Sequence, residues 1–179
     1  MNENLLLLYF LERSKCLKSY LKFFNHRGEN IPYYHFTYEG EFYKYLRIRN
    51  NKLLGNGTRI NEFFVKKSFE QYEFNSDYYI FPKAVMIIIH YFDDLKNRDL
   101  DNNSYKPLID GIKKTGIIED DSWQNLSIML IGSINKSGGS KEKIETILVP
   151  SQHFITFLSL KILSDNLFKS HQNISLKKE

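Results

Sequence analysis

The segment AVMIIIHYFDD, from Ala84 to Asp94, decides the fold. It begins with an almost continuous apolar and β-branched run that only one histidine interrupts. β-branched residues favour strands, and an apolar run without polar alternation is typical of a strand whose two faces are both covered. We therefore predict a central strand here, with the other elements arranged around it.

The chain before this strand predicts one aromatic-rich strand region and one helix. PYYHFTYEGEFYKYLRIRNNKLL, over residues 32–54, is typical of one or two strands, with Gly40 at a bend. RINEFFVKKSFEQYEF, over residues 59–74, has helical periodicity. The residues that share its apolar face are Phe64, Val65, Phe69 and Tyr72.

A short helix and two strands are predicted after the central strand. In YKPLIDGIKKTG, Pro107 is tolerated only in the first helical turn, and Gly116 is a stop signal. NLSIMLIGSI and KIETILV are predicted strands, and the turn NKSGGSKE joins them as a hairpin with a basic tip.

Both ends of the chain are predicted to be helical. Residues 4–25 have apolar side chains at helical spacing, and SQHFITFLSLKILSDNLFK forms a second helix with Ser151 as its N-cap. The expected fold is an α/β (α+β) domain, a small mixed sheet flanked by helices. We divide it into an N-terminal helical extension over 1–30, a core over 31–150, and a C-terminal helix and tail over 151–179.

Length and composition favour one folded domain in a reducing compartment. The chain has 179 residues, of which 42% are hydrophobic. Its single cysteine, Cys16, has no internal disulfide partner. The apolar run LLLLYFLE is too short to span a bilayer and follows Glu3 rather than a basic segment. We expect a cytoplasmic protein that contacts no membrane and binds no small-molecule cofactor.

The charges are distributed unevenly. Residues 61–150 hold 11 Lys/Arg against 14 Asp/Glu, whereas residues 1–60 hold 10 against 5. Five aspartates and one glutamate occur within RDLDNNSYKPLIDGIKKTGIIEDD, over residues 98–121, although the net charge is +4. A basic body around an acidic spot suits a protein that holds a polyanion, and solvated basic helices are the simpler alternative.

The carboxylates of this stretch are expected to meet. In an extended segment Asp99 and Asp101 would face one side, and Leu100 would point into the core. On the next helix Lys106 and Asp110 are four residues apart and share a face. Carboxylates on one face repel, and they persist at low cost only if a positive charge lies between them.

A divalent cation with oxygen ligands is the natural candidate for that charge. Mg²⁺ is usually held by a few carboxylates together with substrate phosphate, and it can activate water for phosphodiester hydrolysis. A nearby lysine can offset charge in the transition state. The alternative is that these aspartates cap helices and fill turns, and that the sequence EDD is a solvated loop.

The pattern of residues 98–121, RDLDN followed by a lysine, the dipeptide DG and the sequence EDD, resembles the RusA-type Holliday junction resolvases. A looser similarity extends over about residues 80–150. This resemblance implies a Mg²⁺-dependent endonuclease, with Mn²⁺ as a substitute, that cuts four-way DNA junctions as a homodimer. The interval from Asp101 to Lys106 is one residue longer than in the best-known form of the family.

The resemblance also assigns roles by position. The implied catalytic residues are Asp99, Asp101, Lys106 and Asp121. The implied metal ligands are Asp99, Asp101 and Asp121. Supporting positions near the ligands are Asn102, Asp110 and Asp120. We add as candidate DNA contacts Arg98, Lys113, Lys114, Lys136, Lys141 and Lys143, of which the last three could equally form a solvated turn.

Two further residues and two other functions bear on this hypothesis. His90, in the central strand, is expected to be a structural histidine with its hydrogen bonds satisfied. Trp123 is expected in the core or as a lid on the site, with base stacking as the less favoured reading. Two functions remain as alternatives: a non-catalytic DNA-binding or regulatory protein on the same fold, and a metal-dependent phosphoesterase that acts on RNA or flap DNA.

The predicted C-terminal helix also bears on assembly. Its apolar residues cover more than one helical face, which exceeds what packing on one side requires. The residues are Phe154, Ile155, Phe157, Leu158, Leu160, Ile162 and Leu163. Cutting a junction needs two incisions at symmetry-related strands, so we expect this surface to meet the N-terminal helix or a second subunit.

Overall fold

The computed structural model describes residues 21–49, 52–53, 57–72, 78–93, 100–134 and 142–164. The strands are β1 (Lys22–His26), β2 (Glu29–Glu39), β3 (Ile48–Arg49), β4 (Lys52–Leu53), β5 (Ala84–Phe92), β6 (Leu126–Ile134) and β7 (Lys143–Pro150). The α-helices are α1 (Tyr43–Leu46), α2 (Gly57–Gln71), α3 (Lys106–Lys113) and α4 (Phe154–Ser164). Two 3₁₀ turns, Leu100–Asn102 and Ser151–His153, precede α3 and α4.

A mixed five-stranded sheet in the order β1-β2-β7-β5-β6 forms the centre of the fold. β5 pairs in parallel with β6 and antiparallel with β7. Every residue of β5 except Tyr91 is buried, so the predicted central strand covered on both faces is confirmed. The predicted mixed sheet flanked by helices is confirmed as well.

Helices α2 and α3 cover one face of the sheet. The buried side of α2 consists of Ile60, Phe64 and Ser68, with Tyr72 just past its end, at intervals of four residues. We expected Phe69 on this side, but its side chain is 39% exposed. Ser68 is tolerated there because its hydroxyl bonds the Tyr38 hydroxyl at 2.8 Å and the Phe64 carbonyl at 2.7 Å.

Helix α4 covers the other face. Its Phe157 ring packs against the rings of Phe24 and Tyr33, at centroid distances of 5.4 and 5.2 Å. Ile155 of the same helix is 71% exposed, so its apolar residues do extend beyond the packed face. Ser151 is not the N-cap, because the 3₁₀ turn Ser151–His153 follows Pro150 without a side-chain cap.

The helix predicted over residues 4–25 is wrong at its C-terminal end. Residues up to 20 lie outside the described part of the chain, and Lys22–His26 forms β1, paired antiparallel with β2. Arg27 and Gly28 make a two-residue turn with φ of 53° and 87°. Such turns suit the twist of a hairpin. Pairing with β2 thus overrides the local helical spacing, and Gly28 closes a hairpin.

The predicted hairpin between the two C-terminal strands is also wrong. β5 lies between β6 and β7 and pairs with both. This places the most apolar strand at an interior position, where both its edges are paired, and leaves β6 at the edge of the sheet. Ile128, Met129 and Ile134 of β6 are correspondingly exposed.

The aromatic-rich region after residue 31 is only partly a strand. β2 ends at Glu39, next to the predicted bend at Gly40, and the chain then forms the short helix α1. Phe42 and Leu46 are buried there in the same core as α2 and α3. Among the described helices, none is long and apolar enough to cross a membrane.

Gly111 lets α2 and α3 pack closely. A Cβ atom at this position would lie 2.7 Å from Phe64 Cβ and 3.2 Å from the Val65 backbone nitrogen. We expect Gly111→Ala to lower the free energy of unfolding by about 1–3 kcal/mol, because the clash outweighs the gain in helix propensity. Urea denaturation measures this, with exposed Glu62→Ala on α2 as the control. Unchanged or increased stability of Gly111→Ala would contradict the close packing.

Candidate active site

Helix α3 separates an apolar side from a charged side. Pro107, Leu108, Gly111 and Ile112 are buried, and Pro107 lies in the first turn, where its missing N–H costs nothing. The charged side chains Lys106, Asp110 and Lys113 follow at intervals of four and three residues, which places them on one side of a helix. Burial of the apolar stripe therefore orients the three charges.

The chain after α3 carries two further carboxylates back to this charged side. Gly116, with φ of 80°, accepts the left-handed conformation that ends the helix. Ile117 and Ile118 are then buried, and the Ile117 carbonyl accepts a hydrogen bond of 2.8 Å from the Phe81 amide. Two consecutive isoleucines predict a short buried strand here. Their burial is confirmed, but Ile118 forms a single β-bridge to Phe81 and not a strand.

Two lysines and three aspartates form one network. Lys106 Nζ lies 2.5 Å from Asp110 Oδ1 and 3.0 Å from Asp121 Oδ2. Lys113 Nζ lies 2.6 Å from Asp120 Oδ1 and 2.7 Å from Asp121 Oδ1. Each oxygen of Asp121 thus accepts a hydrogen bond from a different lysine, and Asp121 is the centre of the network. We call these five residues the lysine–aspartate network.

The network favours the charged forms of Asp120, Asp121 and both lysines. Hydrogen bonds from Lys113 first, and from Lys106 second, keep the pKa of Asp121 well below its ordinary range. Hydrogen bonds to Asp110 first and Asp121 second raise the pKa of Lys106, and hydrogen bonds to Asp120 first and Asp121 second raise the pKa of Lys113. The lowered pKa of the carboxyl group contributes stability above the ordinary carboxyl pKa, and this contribution is lost as the pH falls through the lowered value. The raised pKa of a lysine contributes stability below the ordinary lysine pKa, and this contribution is lost only at alkaline pH. These groups are solvent-exposed in part, so their net contribution to stability is small.

Lysine side chains, and not a metal ion, separate the carboxylates of the network. The positive charges between Asp110, Asp120 and Asp121 are the lysine ammonium groups. Within the described residues, no group of three or more His, Cys, Asp or Glu side chains is arranged to hold a metal ion. Lysine alone therefore accounts for the clustering of these three carboxylates.

Of the first two predicted ligands, Asp101 is placed differently from expectation. Asp99 lies outside the described residues, and Asp101 is exposed within the 3₁₀ turn Leu100–Asn102, so the segment is not extended there. Leu100 does pack on the sheet, since a Cβ at Gly132 of β6 would lie 3.1 Å from its Cδ2. The ligand set of Asp99, Asp101 and Asp121, with Asn102 in support, stays a prediction.

An open groove of about 780 Å³ runs between α2 and α3 beside the network. Its lining residues are Thr58, Asn61, Pro107, Asp110, Lys113 and Lys114. Asn61 bridges the helices, since its Oδ1 accepts a hydrogen bond from Lys114 Nζ at 2.8 Å and its Nδ2 donates to the Pro107 carbonyl at 3.1 Å. Lys114 thus helps to join two helices and is not a free basic side chain.

Of the four remaining candidate DNA contacts, one lies within the described residues. Arg98, Lys136 and Lys141 lie outside the described residues. Lys143 is on β7, where its Nζ bonds Glu145 Oε1 at 2.7 Å and lies 4.4 Å from the centre of the Tyr91 ring. Glu145 belongs to a second polar cluster. Burial opposes its ionisation, but His35, whose Nε2 lies 3.4 Å from Glu145 Oε2, and the hydrogen bond from Lys143 prevail and lower the pKa of Glu145 to about 2.

A buried hydrogen-bonded chain links α3 to the sheet. His90 is fully buried in β5, with Nδ1 2.8 Å from the Tyr105 hydroxyl and Nε2 2.5 Å from Glu142 Oε1. Burial, together with nearby Glu142, raises the pKa of Tyr105. The expectation of a satisfied structural histidine is confirmed. Tyr105 directly precedes Lys106, so this chain of contacts fixes the start of α3 and positions Lys106.

Sequence reasoning missed both partners of His90. Helical spacing from Leu108 and Ile112 predicts only that Tyr105 lies on the packed side of the helix, and Glu142 lies in a stretch rich in Lys, Gly and Ser that is typical of a solvated turn. The sequence around Glu142 does not indicate that its side chain is buried. Its partner His90 is 52 positions away, and the two meet only because β5 and β7 are neighbours in the sheet. Trp123 is not part of the core, since its side chain is 83% exposed, and its role as a lid on the site stays a prediction.

The chain matches no protein-family model and no curated protein. Its resemblance to the RusA-type resolvases rests on the residues quoted above and stays a prediction.

The two lysines should differ in their effect on Asp121. We expect Lys113→Ala to raise the pKa of Asp121 toward the ordinary value of about 3.9 and Lys106→Ala to raise it less, because Lys113 is its main partner. Carboxyl-carbon NMR titration measures both. Lys114→Ala is the matched control, since Lys114 bonds Asn61, and an equal shift in that variant would contradict the network.

Proposed function

We propose that the protein is a Mg²⁺-dependent endonuclease that hydrolyses phosphodiesters in branched DNA. The observation that carries this proposal is the placement of Asp121 between Lys106 and Lys113. Lys106 and Asp121 are fifteen positions apart, and both match residues that the resemblance marks as essential. Asp110, at the supporting position, contacts the same Lys106 ammonium group.

The donor chemistry fits the metal that the resemblance implies. Mg²⁺ prefers oxygen ligands and is commonly held by only one or two carboxylates together with water and substrate phosphates. Two of the three predicted metal ligands lie within the described residues. Asp121 belongs to the lysine–aspartate network, and Asp101 is exposed to solvent on the turn that leads into α3. When bound, Mg²⁺ would polarise the phosphate and lower the pKa of a water molecule. Mn²⁺ accepts the same kind of ligands.

The residues of the chain have separate tasks in this proposal. Lys106 is kept protonated by Asp110 and Asp121, while 63% of its side chain remains exposed and can reach a phosphate. A fixed ammonium group offsets the negative charge that develops on a phosphate in the transition state. Asp110 holds that ammonium group from the same helix, and the contacts of His90 with Tyr105 hold the helix itself.

Substitutions at these positions should reduce cleavage of a four-way junction. We expect Asp101→Asn, Asp121→Asn and Asp99→Asn to abolish cleavage with Mg²⁺ and to leave junction affinity unchanged or higher, because a negative charge near phosphate is removed. Lys106→Ala should lower the cleavage rate about 100-fold or more, by analogy with the loss of one oxyanion donor. Gel assays of cleavage and of binding, each with and without Mg²⁺, measure these effects.

The control for this experiment is Glu29→Gln, at the exposed first residue of β2. It should cut at the wild-type rate. The substrates should include linear duplex, flap DNA and RNA, so that a phosphoesterase with another preference is recognised. Wild-type cutting by Asp121→Asn or Lys106→Ala would refute the site assignment.

A non-catalytic DNA-binding protein is the second candidate. The observation in its favour is that Asp110, Asp120 and Asp121 are each already paired with a lysine. A network neutralised in this way is stable without a metal ion. A folded protein that binds branched DNA but cuts none of the substrates, with either Mg²⁺ or Mn²⁺, would establish this candidate.

We further propose that the protein acts as a homodimer, since paired incisions need two sites related by two-fold symmetry. Ile155 and Leu160 of α4, at 71% and 41% exposure, are candidates for the contact surface. Light scattering at micromolar concentration should give twice the single-chain mass of 21.3 kDa. Ile155→Glu should shift the mass toward the monomer, whereas exposed Gln152→Glu should not. A wild-type mass of one chain, with and without junction DNA, would refute paired incision.

A further inference from the structure

Trp123 is the most exposed of the large apolar side chains that the structure describes. Its side chain is 83% exposed, compared with 71% for Ile155 and 50% for Ile128. Within the described ranges, no hydrogen bond or ring contact involves its indole. It is also the single tryptophan of the chain. Indoles normally bury a large apolar area in a fold, so an indole left in solvent calls for an explanation in terms of binding.

The backbone that carries Trp123 is held on both sides. The amides of Asn125 and Leu126 donate to the Ser122 carbonyl at 3.0 and 2.9 Å, and the Asn125 carbonyl accepts from the Ala84 amide of β5 at 2.8 Å. On the preceding side, Asp121 is fixed by Lys106 and Lys113. The indole is therefore presented from a fixed turn, two residues after the centre of the lysine–aspartate network.

An exposed aromatic ring two residues from an aspartate that two lysines hold is the composition of surfaces that bind unpaired nucleotides. Bases stack on aromatic side chains without regard to sequence, and lysines contact the backbone phosphates. The network has three aspartates for two lysines, so charge alone does not hold a polyanion here. Stacking of a base on the indole is an attraction that does not depend on net charge. It favours unpaired bases, because the bases of an intact duplex are already stacked on each other.

We propose that Trp123 stacks on an unpaired base of the bound DNA strand, next to the phosphate that faces the lysine–aspartate network. This inference rests on the proposed function and names the feature of branched DNA that the site selects: a base that is free to leave its stack. A surface for another protein, or for a second copy of this chain, is the competing explanation of the exposed indole.

Fluorescence of the single tryptophan tests the inference directly on the full chain. The titrations are made with chelator and at low salt, so that nothing is cut, and DNA binding is followed independently by anisotropy of labelled DNA. The probes are a single strand, a four-way junction, and a duplex of the same sequence with both ends closed by linkers. We expect saturable quenching by the single strand and by the junction, and little quenching by the closed duplex at concentrations where it is bound.

The affinity of variants gives the second readout. Trp123→Ala should weaken binding of the single strand roughly 5- to 150-fold, which corresponds to about 1 to 3 kcal/mol per stacked base. Its affinity for the closed duplex should change by less than about two-fold, since no stacking contact is lost there. Trp123→Phe should keep part of the affinity. Ile128→Ala, at an exposed apolar residue of β6, is the control and should bind like the wild type.

The outcomes separate this inference from the proposed function. If the junction is cut but DNA binds without quenching and Trp123→Ala binds equally well, the stacking inference is wrong and the nuclease proposal stands. If the single strand quenches Trp123 and the junction is never cut, stacking stands and catalysis does not. Quenching or a blue shift that follows protein concentration without DNA would show that a second copy covers the indole, which overturns the inference.

Discussion

The burial of β5 on both faces is the constraint from which the rest of the arrangement follows. A strand so apolar needs a partner strand on each edge and a helical layer on each face. β6 and β7 supply the edges, α2 and α3 cover one face, and α4 covers the other. Because α3 must bury Leu108 and Ile112 against this sheet, its charged side is turned outward, and the lysine–aspartate network is assembled there.

The lysines of the network neutralise its carboxylates and also keep an ammonium group available to a phosphate. Asp121 accepts hydrogen bonds from Lys106 and Lys113, so the carboxylates need no metal ion in order to lie together. The same pairing keeps an exposed ammonium group charged and in place, which is what stabilisation of a phosphate transition state requires. The contacts that neutralise the acidic stretch would therefore also prepare it for phosphodiester chemistry.

Support for the site comes from inside the core. His90 joins the start of α3 to the sheet through the Tyr105 hydroxyl, and Glu142 completes its hydrogen bonding. Gly111 allows α2 to approach α3 until a Cβ would touch Phe64. On the solvent side the turn after Asp121 presents Trp123. The charged side chains of α3 and the exposed indole of Trp123 thus stand on a helix and a turn that contacts with the core hold in place.

The sequence by itself determined the elements whose pattern is local. The run from Ala84 to Phe92 identified the central strand, helical spacing identified α2, and Pro107 with Gly116 bounded α3. Intervals of four and three residues also placed Lys106, Asp110 and Lys113 on one side of a helix. Only the tertiary structure decided the position of β1 in the sheet, the separation of β6 from β7, the pairing of His90 with Glu142, and the exposure of Trp123. The physical reason is that these features depend on contacts between distant segments, where competition for the two edges and two faces of the buried strand outweighs local preference.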